Sequence, residues 1–440
     1  MYLPDSALYC IRKLESAGFS AYVVGGCVRD ALLGLTPQDY DLCTDARPED
    51  TCLVFADHTL VRSGQKHGTI GVVVDSQVYE ITTFRTEGTY TDSRHPDRVD
   101  FVSSVTQDLA RRDFTVNAMA YNPATGLEDP WDGREDLKNR VLRTVGEPQT
   151  RFREDALRIL RGVRFAVRYN LQPEQNTYQA MLQMAPSMDN LARERVFDEL
   201  CKLLPIVKAR DLLTFAPIVI QAVPALAPTL GFLQHNRHHA YDVFTHTAHV
   251  VENCPSDLSL RWAALLHDTG KPQTLTIDED GQGHFLGHAQ ISAQLAEETL
   301  RQLKAPTALR QQVVLLIEQH MTRLLPDKKI LRRWLGRLGE ETLRNLLALQ
   351  QADMGSKGTG IPKEAEQFPA LDALLGEITA EEACLSIKDL AVNGNDLMEA
   401  GFAPGPELGK KLQWLLEQVL DERLPNKKQA LLQACKEEQL

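Results

Sequence analysis

The chain has no Cys-x-x-Cys pair, no long unbroken apolar run and no surplus of basic charge. Its eight cysteines (Cys10, Cys27, Cys43, Cys52, Cys201, Cys254, Cys384, Cys435) are scattered. That spacing is poor for a zinc knuckle and too sparse for a secreted disulfide scaffold. The opening Met1-Tyr-Leu-Pro-Asp5 has acid early and lacks the apolar core of a secretory signal. The most apolar stretch, 215–232, is interrupted by Pro217, Pro224 and Pro228, which excludes a membrane span there. The expected setting is a reducing cytoplasm, with no membrane partner. Lys plus Arg number 48 against 60 Asp plus Glu, a net charge of −12. This excludes a whole-surface nucleic-acid binder but not a local basic groove. No repeat or low-complexity tract is visible, and 43% hydrophobic with 25% charged residues excludes a disordered or fibrous chain.

What is present is a chain of 440 residues, enough for about three domains at roughly 100–200 residues each. Up to residue 137, strand and helix signals alternate. Ala21–Val24 reads as a buried strand, Val28–Leu33 as a helix and Asp39–Leu42 as a strand. Ile70–Val74 and Val78–Phe84 flank a polar Asp75-Ser-Gln77 turn, a hairpin signal. From Asp136 onward strand signals vanish, and patterns such as Ala156-Leu157-Ile159-Leu160-Val163 and Val196-Leu200-Leu203 predict helices. The expected fold class is an α/β head followed by an all-α remainder. Expected boundaries are a head at 1–137, a neck at 138–206, a packed linker or body at 207–232, a His-rich region at 233–360 and a tail at 361–440.

Gly25-Gly26-Cys27-Val28-Arg29-Asp30 follows the first strand and opens a helix. Two glycines let the backbone approach a ligand, a helix start offers free N–H groups to phosphate, and Arg29 adds a guanidinium fork. A purely structural turn uses the same glycines. Thirteen residues after Gly26 stands Asp39-Tyr40-Asp41-Leu42. On a strand both carboxylates share one face, and like charges held together are costly unless a cation neutralises them. Such hard oxygens suit Mg²⁺ carried by a nucleoside triphosphate; a solvated strand end is the plain alternative. Glu80 offers a third acid on the strand Val78–Phe84. Three carboxylates beside a phosphate-binding turn fit two-metal phosphoryl or nucleotidyl transfer, although a surface glutamate on a strand is also commonplace.

These motifs resemble a known family. Gly25-Gly26-x-Val28-Arg29-Asp30, Asp39-Tyr40-Asp41-Leu42, Arg111-Arg112-Asp113-Phe114-Thr115-x-Asn117-Ala118 and Glu154-Asp155-x-x-Arg158 fall in the order of the class II tRNA nucleotidyltransferase (CCA-adding enzyme) and bacterial poly(A) polymerase family. The resemblance covers about residues 1–205. It implies a polymerase-beta-like nucleotidyltransferase palm as the head, then a helical neck, body and tail, with tRNA, CTP and ATP as partners. It implies that Gly25, Gly26 and Arg29 meet the nucleotide phosphates, that Asp39 and Asp41 hold a catalytic Mg²⁺, and that Arg112 contacts the nucleotide, with Asp113 and Asn117 on the sugar side. Thr89–Asp97 matches the family's flexible loop, associated with the switch from C to A addition, which argues against an enzyme adding only CC.

Between Lys138 and Arg168 nine basic residues face three acids, a net of +6 that leaves −18 for the rest of the chain. A charge run on a helix is usually a solvated face. Here Asp155, Arg158, Arg161 and Arg164 step by three and are expected to form a slowly winding row. Asp155 can accept from an exocyclic amino group while Arg158 donates to a ring nitrogen or carbonyl, a pairing able to read the edge of C or A. The resemblance assigns that templating to Asp155 and Arg158, with Arg161 and Arg164 near the nucleotide. Glu194-Arg195-Val196-Phe197-Asp198-Glu199 also matches the family; alone it would be an ordinary salt-bridged helix.

His246, His267-Asp268, His288, His320 and Asp353 are spaced along predicted helices. An isolated helical histidine is more often structural, but Ala264-Leu-Leu-His-Asp-Thr-Gly-Lys271 resembles the HD phosphohydrolase superfamily. His246, His267, Asp268 and Asp353 match its order of His, His-Asp and distant Asp. His288 and His320 match the extra histidines of two-metal members, in which Asp268 would bridge the ions. Imidazole and carboxylate ligands suit a divalent metal that activates water for phosphoester hydrolysis, with Lys271 at the phosphate. HD domains fused to CCA-adding enzymes imply phosphatase or cyclic phosphodiesterase work on RNA ends; a role in positioning tRNA stays open. The tail, Ile387–Gly394 through Gly405–Lys411, resembles that of HD-containing relatives, and its glycines fit either RNA phosphate contact or a plain helix–turn–helix.

Three readings follow: a CCA-adding tRNA nucleotidyltransferase first, a poly(A) polymerase sharing the head motifs second, and a metal-dependent phosphohydrolase with a vestigial head third. The acidic charge weighs against the second, and the intact Asp39/Asp41 and Asp155/Arg158 pairs weigh against the third. Any RNA contact is expected in a confined basic groove with strong salt dependence.

Overall fold

The helix Asp5–Ser16 buries Ala7, Cys10, Ile11 and Leu14 along one stripe, and Ser6 bonds the Tyr79 hydroxyl at 2.6 Å. The computed structural model describes residues 1–87, 99–236, 239–360, 363–381 and 384–437. The expected loop Thr89–Asp97 lies outside the described residues. The chain divides into two units, 1–207 with 211–224, and 208–210 with 225–440. The expected head and neck fall within the first.

The head holds β1 Ala21–Val24, β2 Leu42–Thr44, β3 Leu60–Val61, β4 Thr69–Val74, β5 Gln77–Thr83, β6 Arg85–Glu87, β7 Val99–Phe101, β8 Ala120–Asn122 and β9 Gly126–Glu128. Seven form a mixed sheet in the order β3-β4-β5-β2-β1-β8-β9, while β6 and β7 pair separately. Only β2 and β5 run parallel within the sheet; the β1–β2, β4–β5 and β1–β8 pairs are antiparallel. The β4–β5 turn is two residues, not three: Val74 pairs with Gln77, and Asp75 and Ser76 take φ of 48° and 64°. That handedness matches the twist of the flanking strands.

The neck departs from the expected continuous row. One helix ends at Glu154 and the next runs Leu157–Tyr169, with Asp155 extended between them. Asp155 therefore stands at a corner, not on the arginine helix. Gly162 allows that helix to close on the head: a Cβ there would lie 3.0 Å from Phe114 and 3.2 Å from Met181. The expected packed linker or body at 207–232 holds two short helices, Ala209–Thr214 and Ala216–Ala222, and a 3-10 turn Pro224–Thr229. Pro217 sits in the first turn of the second helix, where its missing N–H costs nothing.

The second unit is helical, with Val243–Asn253, Leu258–Leu266, His288–Gln302, Thr307–Gln319 and Glu340–Gly355 surrounding the histidines. The helical remainder carries two small strand pairs as well. Val141–Leu142 pairs Gln172–Pro173 in the neck, and Thr276–Ile277 pairs Gly283–His284. The latter hairpin closes through Gly281 at φ 76°; strands of two residues leave no periodicity for a sequence pattern to reveal. The tail has its own core of Leu390, Val392, Leu397, Leu415, Leu416, Leu420, Leu431 and Cys435. Around Pro404 it forms a helix–turn–helix between Gly394–Glu399 and Pro406–Leu420.

Candidate active site

Leu42 on β2 is level with Ile81 on β5, and both are buried. One residue before each of these come Asp41 and Glu80, both facing solvent, with the Glu80 charge acting on Asp41. Asp39 and Asp41 precede the strand instead of lying within it, a correction to the expected Asp39–Leu42 strand. The reason is unequal pairing: the Val24 N–H still bonds the Asp41 carbonyl at 2.9 Å, whereas pairing with β5 starts only at Leu42. The acids thus stand at the open mouth of the sheet. The Asp41 carboxyl is pushed up to about 6 by the protein packed around it, then by the Asp39 and Glu80 charges, with Arg112 opposing. Asp41 keeps solvent access, so a cation can reach it and relieve that crowding.

Beside the acids lies the glycine turn. Gly25 takes φ 76° and ψ −118°, and its N–H bonds the Met119 carbonyl at 3.0 Å. A Cβ at Gly25 would lie 2.9 Å from Arg112 Nη1, so the guanidinium rests against the turn. Gly26 starts the helix Gly26–Leu32. Arg29 is placed otherwise than the resemblance implies. It is buried, and its guanidinium bonds Asn117 Oδ1 at 2.5 Å, Asp30 at 2.7 Å and the Tyr169 hydroxyl. Its donors are committed inside the protein, tying the glycine turn to the neck helix, and no open fork faces a phosphate.

Asn117 Nδ2 donates to Asp113 Oδ1 at 3.1 Å, and Arg161 meets Asp113 Oδ2 at 2.7 and 2.9 Å. Against the upward push of burial, Arg161 and Asn117, with Arg158 adding, hold Asp113 down at about 2. Asp155 and Arg158 are not partners. Arg195 grips both oxygens of Asp155 at 3.2 and 2.8 Å. Arg158 bonds Glu154 at 2.5 Å and the Arg151 and Arg111 carbonyls at 3.1 Å each. Arg164 is buried against Glu199 at 2.6 Å. The arginine row is therefore a face of ion pairs, not a solvated stripe. Arg195 and Tyr169 were not singled out from sequence, although Arg195 lies in the Glu194–Glu199 motif.

In the second unit the histidines and acids converge. His246 Nε2 lies 2.9 Å from Asp353 Oδ1 and 3.5 Å from Asp268 Oδ2. His267 Nε2 lies 3.2 Å from Asp268 Oδ2, and His288 Nε2 lies 3.4 Å from Asp268 Oδ1 and 3.2 Å from His320 Nε2. Each Nδ1 faces a backbone carbonyl: Ser356 for His246, Ala264 for His267, Phe285 for His288 and Ile317 for His320. Donating there turns each Nε2 to the centre, the orientation that metal ligation requires. Burial holds His320 down at about 4, hence neutral. Among the described residues, His246–His267–Asp268 and Asp268–His288–His320 each bring three ligand atoms within 4.8 Å of one another. The buried Nε2 atoms of His246 and His267 make no hydrogen bond, and Asp268 Oδ2 accepts none although it lies in ion-pair range of Lys271, which fits a metal site. A cavity of about 440 Å³ opens onto Asp268, Lys271, His288, His320 and Asp353.

Comparison with known proteins covers both units. The Poly A polymerase head domain matches residues 21–143, the "Probable RNA and SrmB-binding site of polymerase A" residues 170–211, and the tRNA nucleotidyltransferase domain 2 residues 275–435. The CCA-adding enzyme of Streptococcus thermophilus is 33% identical over 98% of this chain and 97% of its own. That of Levilactobacillus brevis is 35% identical over 96% and 95%. The chain belongs to the CCA-adding enzyme family. A solved structure of the Bacillus stearothermophilus CCA-adding enzyme in complex with CTP superposes with a TM-score of 0.72 at 29% identity, covering 99% of this chain and 98% of that one. As a CCA-adding family member the chain is a tRNA nucleotidyltransferase, an enzyme class dependent on divalent metal. No helix among the described residues is long and apolar enough to cross a membrane.

Proposed function

We propose that this chain adds C, C and A to the tRNA 3′ end at the mouth of the head sheet, using CTP and ATP and releasing pyrophosphate. The observation that carries the reading is the register of β2 against β5, which supports Asp41 and Glu80 as neighbours beside Arg112 and the Gly25 turn. Asp39 and Asp41 would hold Mg²⁺, with Glu80 adding negative charge beside them. Bound there, the metal supplies charge neutralisation at the α-phosphate. The tRNA 3′-hydroxyl oxygen forms the new bond to the α-phosphorus, and the bond to pyrophosphate breaks. Arg112 meets the triphosphate beside Gly25 and Gly26. Asp113 and Asn117, locked by Arg161 and Arg29, form the wall on the sugar side. Asp155, kept in place by Arg195, and Arg158 offer the acceptor and donors that read C or A.

The experiment is incubation of the full chain with tRNA lacking its 3′ CCA and each nucleotide in turn. Addition of C, C and A that then stops supports the reading; runs of A favour poly(A) polymerase, and no addition favours the phosphohydrolase. The convergent Nε2 atoms favour a second activity beside the first: metal-dependent hydrolysis of phosphoesters at His246, His267, Asp268, His288, His320 and Asp353. Release of phosphate from RNA ends by the intact protein with Mn²⁺, lost in Asp268→Ala, tests it.

A further inference from the structure

Asp268 is the most shared group of the second unit. Its Oδ2 faces His267 Nε2 at 3.2 Å, His246 Nε2 at 3.5 Å and Lys271 Nζ at 2.7 Å. The shortest of these contacts is the ammonium, not an imidazole. Lys271 is 6% exposed, and on its other side the ammonium bonds Gln234 Oε1 at 2.8 Å. Gln234 is itself buried, and its Nε2 donates to the Tyr241 carbonyl at 3.2 Å, which fixes which way its oxygen points. Phe285 lies alongside, its ring centre 5.4 Å from Nζ. The lysine is therefore held at the carboxylate by a positioned acceptor, with little water to replace either partner.

Two buried groups so placed compensate each other's charge. A divalent ion bound by His246, His267 and Asp268 needs the same Oδ2, and a buried ammonium 2.7 Å from that oxygen repels it. Lys271 also lines the cavity with His288, His320 and Asp353, so it has space to withdraw into once an ion takes its place.

We propose that Lys271 is a built-in counter-ion: it occupies Asp268 Oδ2 in the metal-free protein and yields that oxygen to an entering divalent ion, thereby keeping ion affinity low. This rests on the metal reading of the cluster. The ammonium is then released to the cavity at the moment the site becomes charged, which makes loading the step that frees a cation for an incoming phosphate.

The test is calorimetric titration of the dialysed full-length protein with Mn²⁺, with melting of the chelated protein alongside. Lys271→Met binds Mn²⁺ at least about tenfold more tightly than wild type, because a buried like charge is gone. Without metal it melts lower than wild type, because Asp268 has lost its counter-charge. Lys271→Gln keeps the polar contacts without the charge and serves should the Met variant not fold; it too gains affinity. Equal or weaker Mn²⁺ binding by the variants, with wild-type binding intact, overturns the counter-ion role while leaving the metal site standing. No binding by wild type or variants overturns both; binding by the variants alone supports the counter-ion in its strongest form.

Discussion

Arg195 holds Asp155 through both carboxylate oxygens, at 3.2 and 2.8 Å, while Arg158 turns to Glu154. The two groups expected to read the base are thus each kept in place by a residue outside the pair. Arg195 projects from the helix Arg193–Leu203 across to the corner where Asp155 interrupts two helices. Removing it leaves that acid without its only bidentate partner among the described residues, held by the Leu157 N–H alone at 3.0 Å. Arg195→Ala is expected to lower kcat/KM for CTP and ATP by about 10–100-fold, the worth of a charge-assisted bond. Discrimination against UTP falls with it, since orientation carries the reading. Single-nucleotide incorporation assays with CTP, ATP and UTP check this; unchanged selectivity would show that Asp155 orients itself.

That pair also marks how far sequence reasoning reached. The α/β head, the β4–β5 hairpin and the residues of both clusters were legible, because strands of four to seven residues and motif order survive in a linear pattern. The partners were not. Asp155 and Arg158 are three apart, which on an unbroken helix means one face; the break after Glu154 cancels that inference. Arg29 reads as a phosphate fork from its place after two glycines, yet Tyr169, 140 residues later, takes one of its donors. Long-range ion pairs of this kind leave no periodic trace. The histidines fared better, since each stands at or near a helix end or in a helix whose spacing was visible, and convergence required only that the helices pack.

Asp41 gives a pH prediction. Its folded pKa of about 6 lies above its ordinary 3.8, so the folded state binds the proton more strongly than the unfolded chain between those values. Stability therefore falls as pH rises from about 4 through 6 in the absence of metal. Asp41→Asn removes that loss. The metal-free variant is expected to melt about 1–3 °C above metal-free wild type at pH 7.5 while incorporating no CMP or AMP. At pH 4 the two should melt together. A variant no more stable at neutral pH would argue that neither burial nor the neighbouring acids hold the Asp41 carboxyl up.

Asp113 behaves in the opposite sense. Its pKa of about 2, below the ordinary 3.8, contributes stability that is full above pH 4 and is lost as pH falls through 2. Arg161 is the main charge behind this, so Arg161→Ala leaves a buried carboxylate compensated by Asn117, the Phe114 N–H and the more distant Arg158. Destabilisation of about 2–3 kcal/mol is expected, toward the lower end for a broken buried pair because the arginine is partly exposed. Urea unfolding at pH 7 measures it. Asp113→Asn, which removes the charge itself, should cost less than Arg161→Ala; the reverse order would sink the account.

The His–Asp cluster predicts that its ion and the chemistry of the head separate. His267 contributes Nε2 to the three-atom set with His246 and Asp268 and bonds the Ala264 carbonyl through Nδ1, so its loss removes one ligand and leaves the head motifs untouched. Dialysed wild-type protein given Mn²⁺ at about 100 times its dissociation constant should gain about 2.7 kcal/mol in the unfolding of the second unit. His267→Ala should lose most of that gain and all hydrolysis of phosphoesters. Addition of C, C and A to truncated tRNA, assayed with Mg²⁺, should stay within about twofold of wild type, the result that independent sites give. If nucleotide addition collapses together with the metal-dependent stabilisation, the second unit is a tRNA-positioning element whose metal serves the head, and the independent hydrolase is excluded.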